Sequence, residues 1–226
     1  MKVKYHGNAC VSIEFDEGTK LIIDPFITDN PLSELDAQTI EADYILITHG
    51  HNDHVGDTEI IAKNNDAMII SIVELCDYFE NKGYRVHGLN IGGGYDFPFG
   101  RVKMTRAYHS SSYVDENGDT IYMGEPGGFL IQSEGKLIYH AGDTALFSDM
   151  RIYAEEGRID LAFLPIGDNY TMGPKDAIKA CHYLQPRKMV PIHYNTFELI
   201  KQDPHKLSEK IPKILKVMEV EEEISL

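Results

Sequence analysis

The chain has 226 residues, of which 42% are hydrophobic, and a formal net charge of −15. This length fits one domain over residues 1–226, and the negative charge disfavours extended nucleic-acid binding because it repels a phosphate backbone. Because the sequence has no run of 18 apolar residues, no leader-like N-terminus and no C-x-x-C pair, we expect a cytoplasmic protein with reduced thiols and no membrane contact.

The first residues of the chain are predicted to form strands. Alternating apolar residues predict strands over 3–6, 10–15 and 20–23. Asp24 follows the third of these strands, at a place where side chains of a site often collect. The polar, turn-rich residues 27–42 are typical of a loop that folds over such a site.

A short apolar strand predicted over 44–48 leads directly into His49-Gly50-His51-Asn52-Asp53-His54. Side chains at alternate positions of an extended chain share a face, so His49 and His51 can converge on one ion. Asp53 and His54 open a helix predicted over roughly 54–64, and as neighbours they diverge, which suits a second ion. The motif therefore predicts one side of a site for two metals.

The remaining pattern alternates between strands and helices. Further strands are predicted over 67–70, 84–89, 101–107, 129–132, 136–139, 161–164 and 188–192. Further helices are predicted over 72–82, 147–156, 174–184 and most of 203–215. We expect a turn at 92–94, a loop over 110–128 with a turn at 116–119, and a solvated acidic end at 219–223.

Two β-rich stretches, each followed by helices, predict an α/β (α+β) protein with two sheets packed face to face and helices outside. A doubly wound parallel sheet is the alternative, and the predicted hairpins argue against it. In the four-layer αββα arrangement, His49, His109, Asp143 and His193 all lie at or just after the ends of strands. This shared placement predicts that they belong to one site.

These residues, with the motif at 49–54, resemble the metallo-β-lactamase superfamily over nearly the whole chain. Four segments, at 24–26, 139–144, 167–174 and 191–197, resemble its small metal-dependent hydrolase branch, which is related to bacterial ascorbate-6-phosphate lactonases. The resemblance implies a metallo-β-lactamase-like fold. It is specific for the fold and the metal, and says little about the substrate.

The resemblance also implies how the ligands are divided between two divalent ions. One ion would be bound by His49, His51 and His109, and the other by Asp53, His54 and His193. Asp143, which could otherwise cap a turn or helix, would bridge them, so that Asp53 and Asp143 are the expected catalytic carboxylates. Imidazole and carboxylate ligands suit Zn²⁺, Mn²⁺ or iron, with zinc as the default.

Five further residues are candidates for supporting the ligands or contacting substrate. Asp24 is predicted to hold a ligand histidine in one tautomer. Relatives in this branch typically carry a histidine where this chain has Asn8, which forms hydrogen bonds but does not titrate near neutral pH. His6, two residues earlier, either faces the site or is an ordinary strand residue. Asn169 and Tyr170 precede the predicted helix at 174 and either bind a substrate oxygen or only form a turn.

The favoured hypothesis is a binuclear hydrolase in which a metal-bound hydroxide attacks an ester-like small molecule, either a lactone or a phosphoester. A phosphodiesterase or nuclease is an alternative that the acidic charge disfavours. The same ligands could also hold two irons for redox chemistry, or bind metal without turnover. The oligomeric state stays open, a homo-oligomer included.

Overall fold

The computed structural model describes residues 1–226, and most of its regular structure is β-strand. The strands are, in chain order, β1 (Lys2–Tyr5), β2 (Val11–Glu14), β3 (Lys20–Ile23), β4 (Tyr44–Leu46), β5 (Met68–Ile72), β6 (Val86–Leu89), β7 (Gly94–Phe97), β8 (Gly100–Arg106), β9 (Ser112–Val114), β10 (Thr120–Tyr122), β11 (Gly127–Ser133), β12 (Lys136–His140), β13 (Leu161–Pro165), β14 (Lys188–Ile192) and β15 (Glu223–Ser225). The α-helices are α1 (Asn52–Val55), α2 (Thr58–Asn65), α3 (Val73–Glu80), α4 (Met150–Tyr153) and α5 (Pro174–Leu184). Short 3₁₀ helices lie at Ala37–Thr39, Glu198–Ile200 and Pro204–Glu209.

The strands form two large mixed sheets and one small hairpin. The first sheet has the order β15-β1-β2-β3-β4-β5-β6, and its second half, from β3 to β6, is parallel. The second sheet has the order β14-β13-β12-β11-β8-β7, and it is parallel from β12 to β14. The carboxyl ends of parallel strands meet at one edge of a sheet, so each sheet offers such an edge to a site.

The strands carry apolar side chains on both faces of each sheet. One face packs against the other sheet, and the opposite face packs against helices. On β13, Phe163 belongs to the core between the sheets, whereas its neighbour Leu164 belongs to a second core that also contains Ala177 and Cys181 of α5. On the other side, Phe79 of α3 packs onto the first sheet. Helices therefore cover the outer face of each sheet, which confirms the predicted four-layer αββα arrangement.

The helix predicted over 54–64 is two helices, α1 and α2. The chain breaks at Gly56, whose φ of 44° and ψ of −128° are not helical. A Cβ atom at Gly56 would lie 2.3 Å from the carbonyl oxygen of Pro25, so the loop after β3 requires a glycine here. Asp53 and His54 consequently lie in the middle of a single helical turn, not at the start of a long helix.

Two other predicted helices are shorter than expected. The segment 147–156 contains only α4. The backbone hydrogen bonds around it, such as that from the N–H of Ile152 to the oxygen of Asp149 at 3.0 Å, join residues three positions apart, as in turns. The segment 203–215 is helical only as the 3₁₀ helix Pro204–Glu209. Pro212 has no N–H to donate and disfavours helical backbone at the preceding residue, which ends that segment.

Four strands were not predicted. The hairpin of β9 and β10 lies within the predicted loop 110–128, joined by the predicted turn at 116–119. The edge strand β7 has only four residues and begins at the last of three consecutive glycines, so its pattern is weak. At the predicted solvated end, 219–223, Glu219 and Glu223 are exposed, but β15 pairs antiparallel with β1 and Glu221 bonds to a buried histidine, His6.

The longest helix, α5, has 11 residues. None of the helices combines the length and the apolar character that crossing a membrane requires.

Candidate metal centre

Seven side chains from four parts of the chain converge where the strands of both sheets end. They belong to the segment 49–54 after β4 and to single residues after β8, β12 and β14. Potential ligand atoms lie within 4.8 Å of one another in three sets, namely His49, His51 and His109; Asp53, His54 and His193; and His49, His54 and Asp143. The first two sets match the division between two ions that the resemblance implied.

The first set presents three imidazole nitrogens to one point. Nδ1 of His51 lies 3.0 Å from Nε2 of His49 and 3.3 Å from Nε2 of His109. Burial lowers the pKa of all three imidazoles, to about 4 for His109, so they are neutral near pH 7. Neutral imidazoles carry lone pairs, and three of them at this spacing are a donor set for one cation.

The second set combines two imidazoles with one carboxylate. Oδ2 of Asp53 lies 3.4 Å from Nε2 of His193 and 3.6 Å from Nε2 of His54. Burial opposes charge on His54, yet the carboxylates of Asp143, Asp53 and Asp24 raise its pKa well above the usual value. The three carboxylates thus surround His54 with negative charge that a cation would balance.

Asp143 lies between the two sets. Its Oδ2 is 3.0 Å from Nε2 of His193, 3.4 Å from Nε2 of His54 and 3.6 Å from Nε2 of His109. Its other oxygen, Oδ1, is buried without a hydrogen-bond partner, and so is Nε2 of His54. Buried polar atoms without partners cost free energy, and bound cations would remove that cost. The residues present therefore fit a metal centre.

Asp24 lies behind His54. Oδ2 of Asp24 accepts hydrogen bonds from Nδ1 of His54 at 2.8 Å and from the hydroxyl of Thr48 at 2.7 Å, and Oδ1 accepts from the backbone N–H of Thr48 at 2.8 Å. The bond to Nδ1 places the hydrogen on that nitrogen and turns Nε2 towards the cluster. Asp24 itself is not part of any of the three ligand sets.

Asn8 and His6 lie on opposite sides of the turn after β1. Asn8 is fully buried, and its amide donates to Oδ2 of Asp53 at 3.1 Å and accepts from the hydroxyl of Thr196 at 3.0 Å. His6 bonds instead to Glu221 at 2.7 Å and to the hydroxyl of Ser12 at 2.8 Å, away from the cluster. Of the two alternatives for His6, the structure supports an ordinary buried residue near the end of a strand.

A cleft of about 800 Å³ opens over the cluster. Tyr170 lines it and is 53% exposed, whereas its neighbour Asn169 lies outside. The sequence interpretation missed most of the walls, which are Phe26, Asp29, Asn52, Ser110, Phe197, Glu198 and Leu199. The available signal was that each of them lies within six residues of Asp24, His51, His109 or His193 along the chain, because residues near ligands at strand ends commonly form the substrate site.

Replacing Asn8 with alanine should weaken metal binding without unfolding the protein. The amide of Asn8 donates to the same oxygen of Asp53 that faces His54 and His193, so its loss frees that carboxylate to rotate. We expect metal affinity to fall by about 10-fold, measured by competition with a chromogenic chelator. Asn8→Leu, which keeps a similar size but cannot donate, should behave like Asn8→Ala. Unchanged affinity in both variants would show that the amide does not hold Asp53.

His140, at the end of β12, is buried as a neutral imidazole in one tautomer. Its Nε2 lies 2.9 Å from the carbonyl oxygen of Ala9, and its Nδ1 accepts from the backbone N–H of Gly142 at 3.2 Å. Burial lowers its pKa. Protonation would put a hydrogen on Nδ1, facing the N–H of Gly142, the residue before Asp143. The neutral form of His140 therefore stabilises this turn.

This arrangement predicts a pH dependence of stability. A histidine whose pKa is lower in the folded state than its unfolded value of about 6.5 contributes full stability above that value. As the pH falls, the unfolded state takes up the proton first, and stability is lost. For the metal-free protein we expect the free energy of unfolding to fall between pH 7 and pH 5, by up to about 1.4 kcal/mol per pH unit from His140.

Urea denaturation at several pH values, compared between the wild type and His140→Gln, isolates this contribution. The variant cannot take up a proton at this position, so its stability should depend less steeply on pH. Equal slopes for the two proteins would contradict a neutral, buried His140.

Comparison with known proteins supports the same family throughout. Residues 2–193 match the model of the Beta-lactamase superfamily domain. A UPF0173 metal-dependent hydrolase from Anoxybacillus flavithermus is 54% identical over 226 residues, which is 100% of both chains. Igni18, a metallo hydrolase from Ignicoccus hospitalis, has 36% identity and a TM-score of 0.89, covering 99% of this chain and 97% of that one.

A possible metal-dependent hydrolase from Veillonella parvula has a TM-score of 0.80 and covers 100% of this chain and 99% of that one, but at 18% identity it shows a likeness of fold alone. The match to the superfamily confirms the resemblance seen in the sequence, whereas the relation to ascorbate-6-phosphate lactonases stays a prediction. The chain belongs to the β-lactamase superfamily, within the UPF0173 family of metal-dependent hydrolases.

Proposed function

We propose that this protein hydrolyses an ester-like bond in a small molecule, a lactone or a phosphoester, using two divalent ions held by the seven converging side chains. The observation that carries the proposal is the position of Asp143. Its Oδ2 lies within 3.6 Å of a ring nitrogen of His109 in the first set and of His54 and His193 in the second. One carboxylate can thus contact two ions.

The donor set supports the choice of metal. Five imidazoles and two carboxylates, without any thiolate, suit Zn²⁺ first and also Mn²⁺ or iron. We propose that His49, His51 and His109 hold one ion and that Asp53, His54 and His193 hold the other. We also propose that the whole chain, residues 1–226, acts as one domain, since both sheets contribute ligands to the cluster.

Two such ions, when bound, supply Lewis acidity and lower the pKa of a water molecule towards about 7. The protein side chains orient the reaction. Asp53 lines the cleft, and burial opposes its charge, yet His54, His193 and Asn8 hold the pKa of its carboxyl below the usual range. An ionised Asp53 can therefore accept a hydrogen bond from the attacking water. Asp143, 2% exposed, keeps the two ligand sets at a fixed separation.

A hydrolysis screen tests this proposal. Protein reconstituted separately with Zn²⁺ and Mn²⁺ is offered lactones, phosphodiesters and thioesters, with Asp53→Ala as the blank. We expect hydrolysis of at least one lactone or phosphoester, reduced at least about 100-fold in the variant. Equal rates in the wild type and in Asp53→Ala would contradict the proposal, as would no hydrolysis by fully metal-loaded protein.

A further inference from the structure

The cleft above the cluster has apolar walls at the surface of the protein. Phe197 is 40% exposed and Leu199 is 63% exposed, and both line the cleft together with the ring of Tyr170. Large apolar side chains that gather at one concave place, beside groups able to do chemistry, are typical of a ligand site. These walls therefore indicate what part of a substrate lies next to the metal centre.

The walls are held in place before any ligand binds. The rings of Phe26 and Phe197 contact each other with centroids 6.4 Å apart, and Phe26 is 7% exposed. Behind Leu199, Ile200 is fully buried and its N–H bonds to the carbonyl oxygen of Phe197 at 3.1 Å. The side chain of Asn195 accepts from the N–H of Gln202 at 2.9 Å and closes the loop. A preformed apolar wall binds a ligand more tightly, because the protein loses little conformational freedom on binding.

The side-chain charges of the walls, outside the metal ligands, do not favour an anionic group on the part of a substrate that lies away from the metal centre. No lysine or arginine lines the cleft, and its charged residues outside the cluster are Asp29 and Glu198. The nearby Lys201 is paired with Glu198 at 2.5 Å and is therefore engaged. Phosphate groups on small molecules are normally bound by cationic side chains or by backbone N–H groups. A phosphate group away from the metal centre would meet Asp29 and Glu198 and no cationic side chain of the walls.

The cleft also has few free polar groups for a substrate rich in hydroxyls. The amide of Asn52 is bonded to the backbone of Val114 at 2.9 and 3.1 Å. The hydroxyl of Ser110 lies 3.2 Å from Nε2 of His51. The polar groups that remain on the walls are the carboxylates of Asp29 and Glu198 and the hydroxyl of Tyr170.

We infer that the substrate is an uncharged carboxylic ester or lactone with a hydrophobic aliphatic or aromatic arm, and that Phe197 and Leu199 bind this arm. The inference rests on the proposed hydrolytic function and narrows its substrate class. It disfavours lactones that carry a phosphate group on this arm. A cavity of about 800 Å³ has room for a molecule with such an arm.

Chain-length selectivity of the metal-loaded protein tests the inference. The substrates are 4-nitrophenyl acetate and hexanoate, with γ-butyrolactone and γ-octalactone as the corresponding lactones and bis(4-nitrophenyl) phosphate as the anionic probe. We expect kcat/KM to rise at least about tenfold from acetate to hexanoate, because the longer chain buries more apolar surface. The phosphodiester should be the poorest substrate.

Variants of the wall provide the structural control. Phe197→Ala should lower the preference for hexanoate over acetate by about tenfold, and Leu199→Ala, at a more exposed position, provides a second test if the first variant fails to fold. Ile152→Ala removes a side chain that is 53% exposed on α4, outside the cleft, and should leave the preference unchanged. No chain-length preference, a preference that survives both wall variants, or faster hydrolysis of the phosphodiester would overturn the inference.

A binding measurement separates this inference from the proposed function. Hexananilide, an uncharged amide, and phenyl phosphate are titrated into metal-loaded protein by calorimetry. We expect hexananilide to bind and Phe197→Ala to weaken it at least about fivefold. If no ester is hydrolysed but hexananilide binds in this way, the hydrolytic proposal fails and the apolar site stands. If hexananilide does not bind, the apolar site fails.

Discussion

The substitution Asp143→Asn is expected to lower the metal content from about two equivalents to about one or fewer. It is also expected to lower kcat/KM by at least about 1000-fold. The amide keeps the size of the side chain but loses the negative charge that faces three histidines. Oδ2 of Asp143 lies 3.0 Å from His193, 3.4 Å from His54 and 3.6 Å from His109, so this single oxygen joins the two ligand sets. A neutral amide is a poor bridge between two cations.

Metal content measured by inductively coupled plasma mass spectrometry, together with rates on the best ester from the screen, checks this expectation. Asp149→Asn is the matched control, because Asp149 is exposed beside α4 and lies outside the cluster. The control should retain its metal and its activity. Two equivalents of metal in Asp143→Asn would show that Asp143 does not join the sites.

Asp24→Asn is expected to reduce both stability and metal affinity. The carboxylate of Asp24 is fully buried and accepts three hydrogen bonds, two from Thr48 and one from His54. An amide offers only one accepting oxygen, so at least one of these donors loses its partner. We expect the metal-free protein to lose about 2–4 kcal/mol of unfolding free energy and the metal-loaded protein to lose about 10- to 100-fold in metal affinity.

The two effects are measured separately, by urea denaturation without metal and by chelator competition with metal. Asp36→Asn is a suitable control, because Asp36 caps a short surface helix through its side-chain oxygen, and asparagine caps a helix as well. If Asp24→Asn were as stable as this control and bound metal as tightly, Asp24 would not be the residue that orients His54.

Local sequence patterns predicted the parts of the fold that depend on neighbours along the chain. The predicted bounds of β3, α5 and β14 agree with the structure, because strand alternation and a proline at a helix start are local signals. The motif at 49–54 likewise identified candidate ligands from their spacing alone. The shared placement of His109, Asp143 and His193 at strand ends indicated that they join that motif in one site, whereas their division between two ions required the family resemblance.

The features that the sequence interpretation missed depend on contacts between distant residues. The break at Gly56 arises from the close approach of Pro25, more than 30 residues away along the chain. The partner of His6 is Glu221, 215 residues away. The side chains of Phe197 and Leu199 look like ordinary apolar residues in the sequence. Only the fold shows that they surround the cleft above the cluster.

The central claim is that the cluster at 49–54, His109, Asp143 and His193 holds two metal ions. The most direct test is the metal content of the wild type, purified without chelator, beside that of His51→Ala. We predict about two equivalents of transition metal in the wild type and about one or fewer in the variant. Less than about half an equivalent in the wild type, with neither metal content nor stability changed in His51→Ala, would contradict the claim.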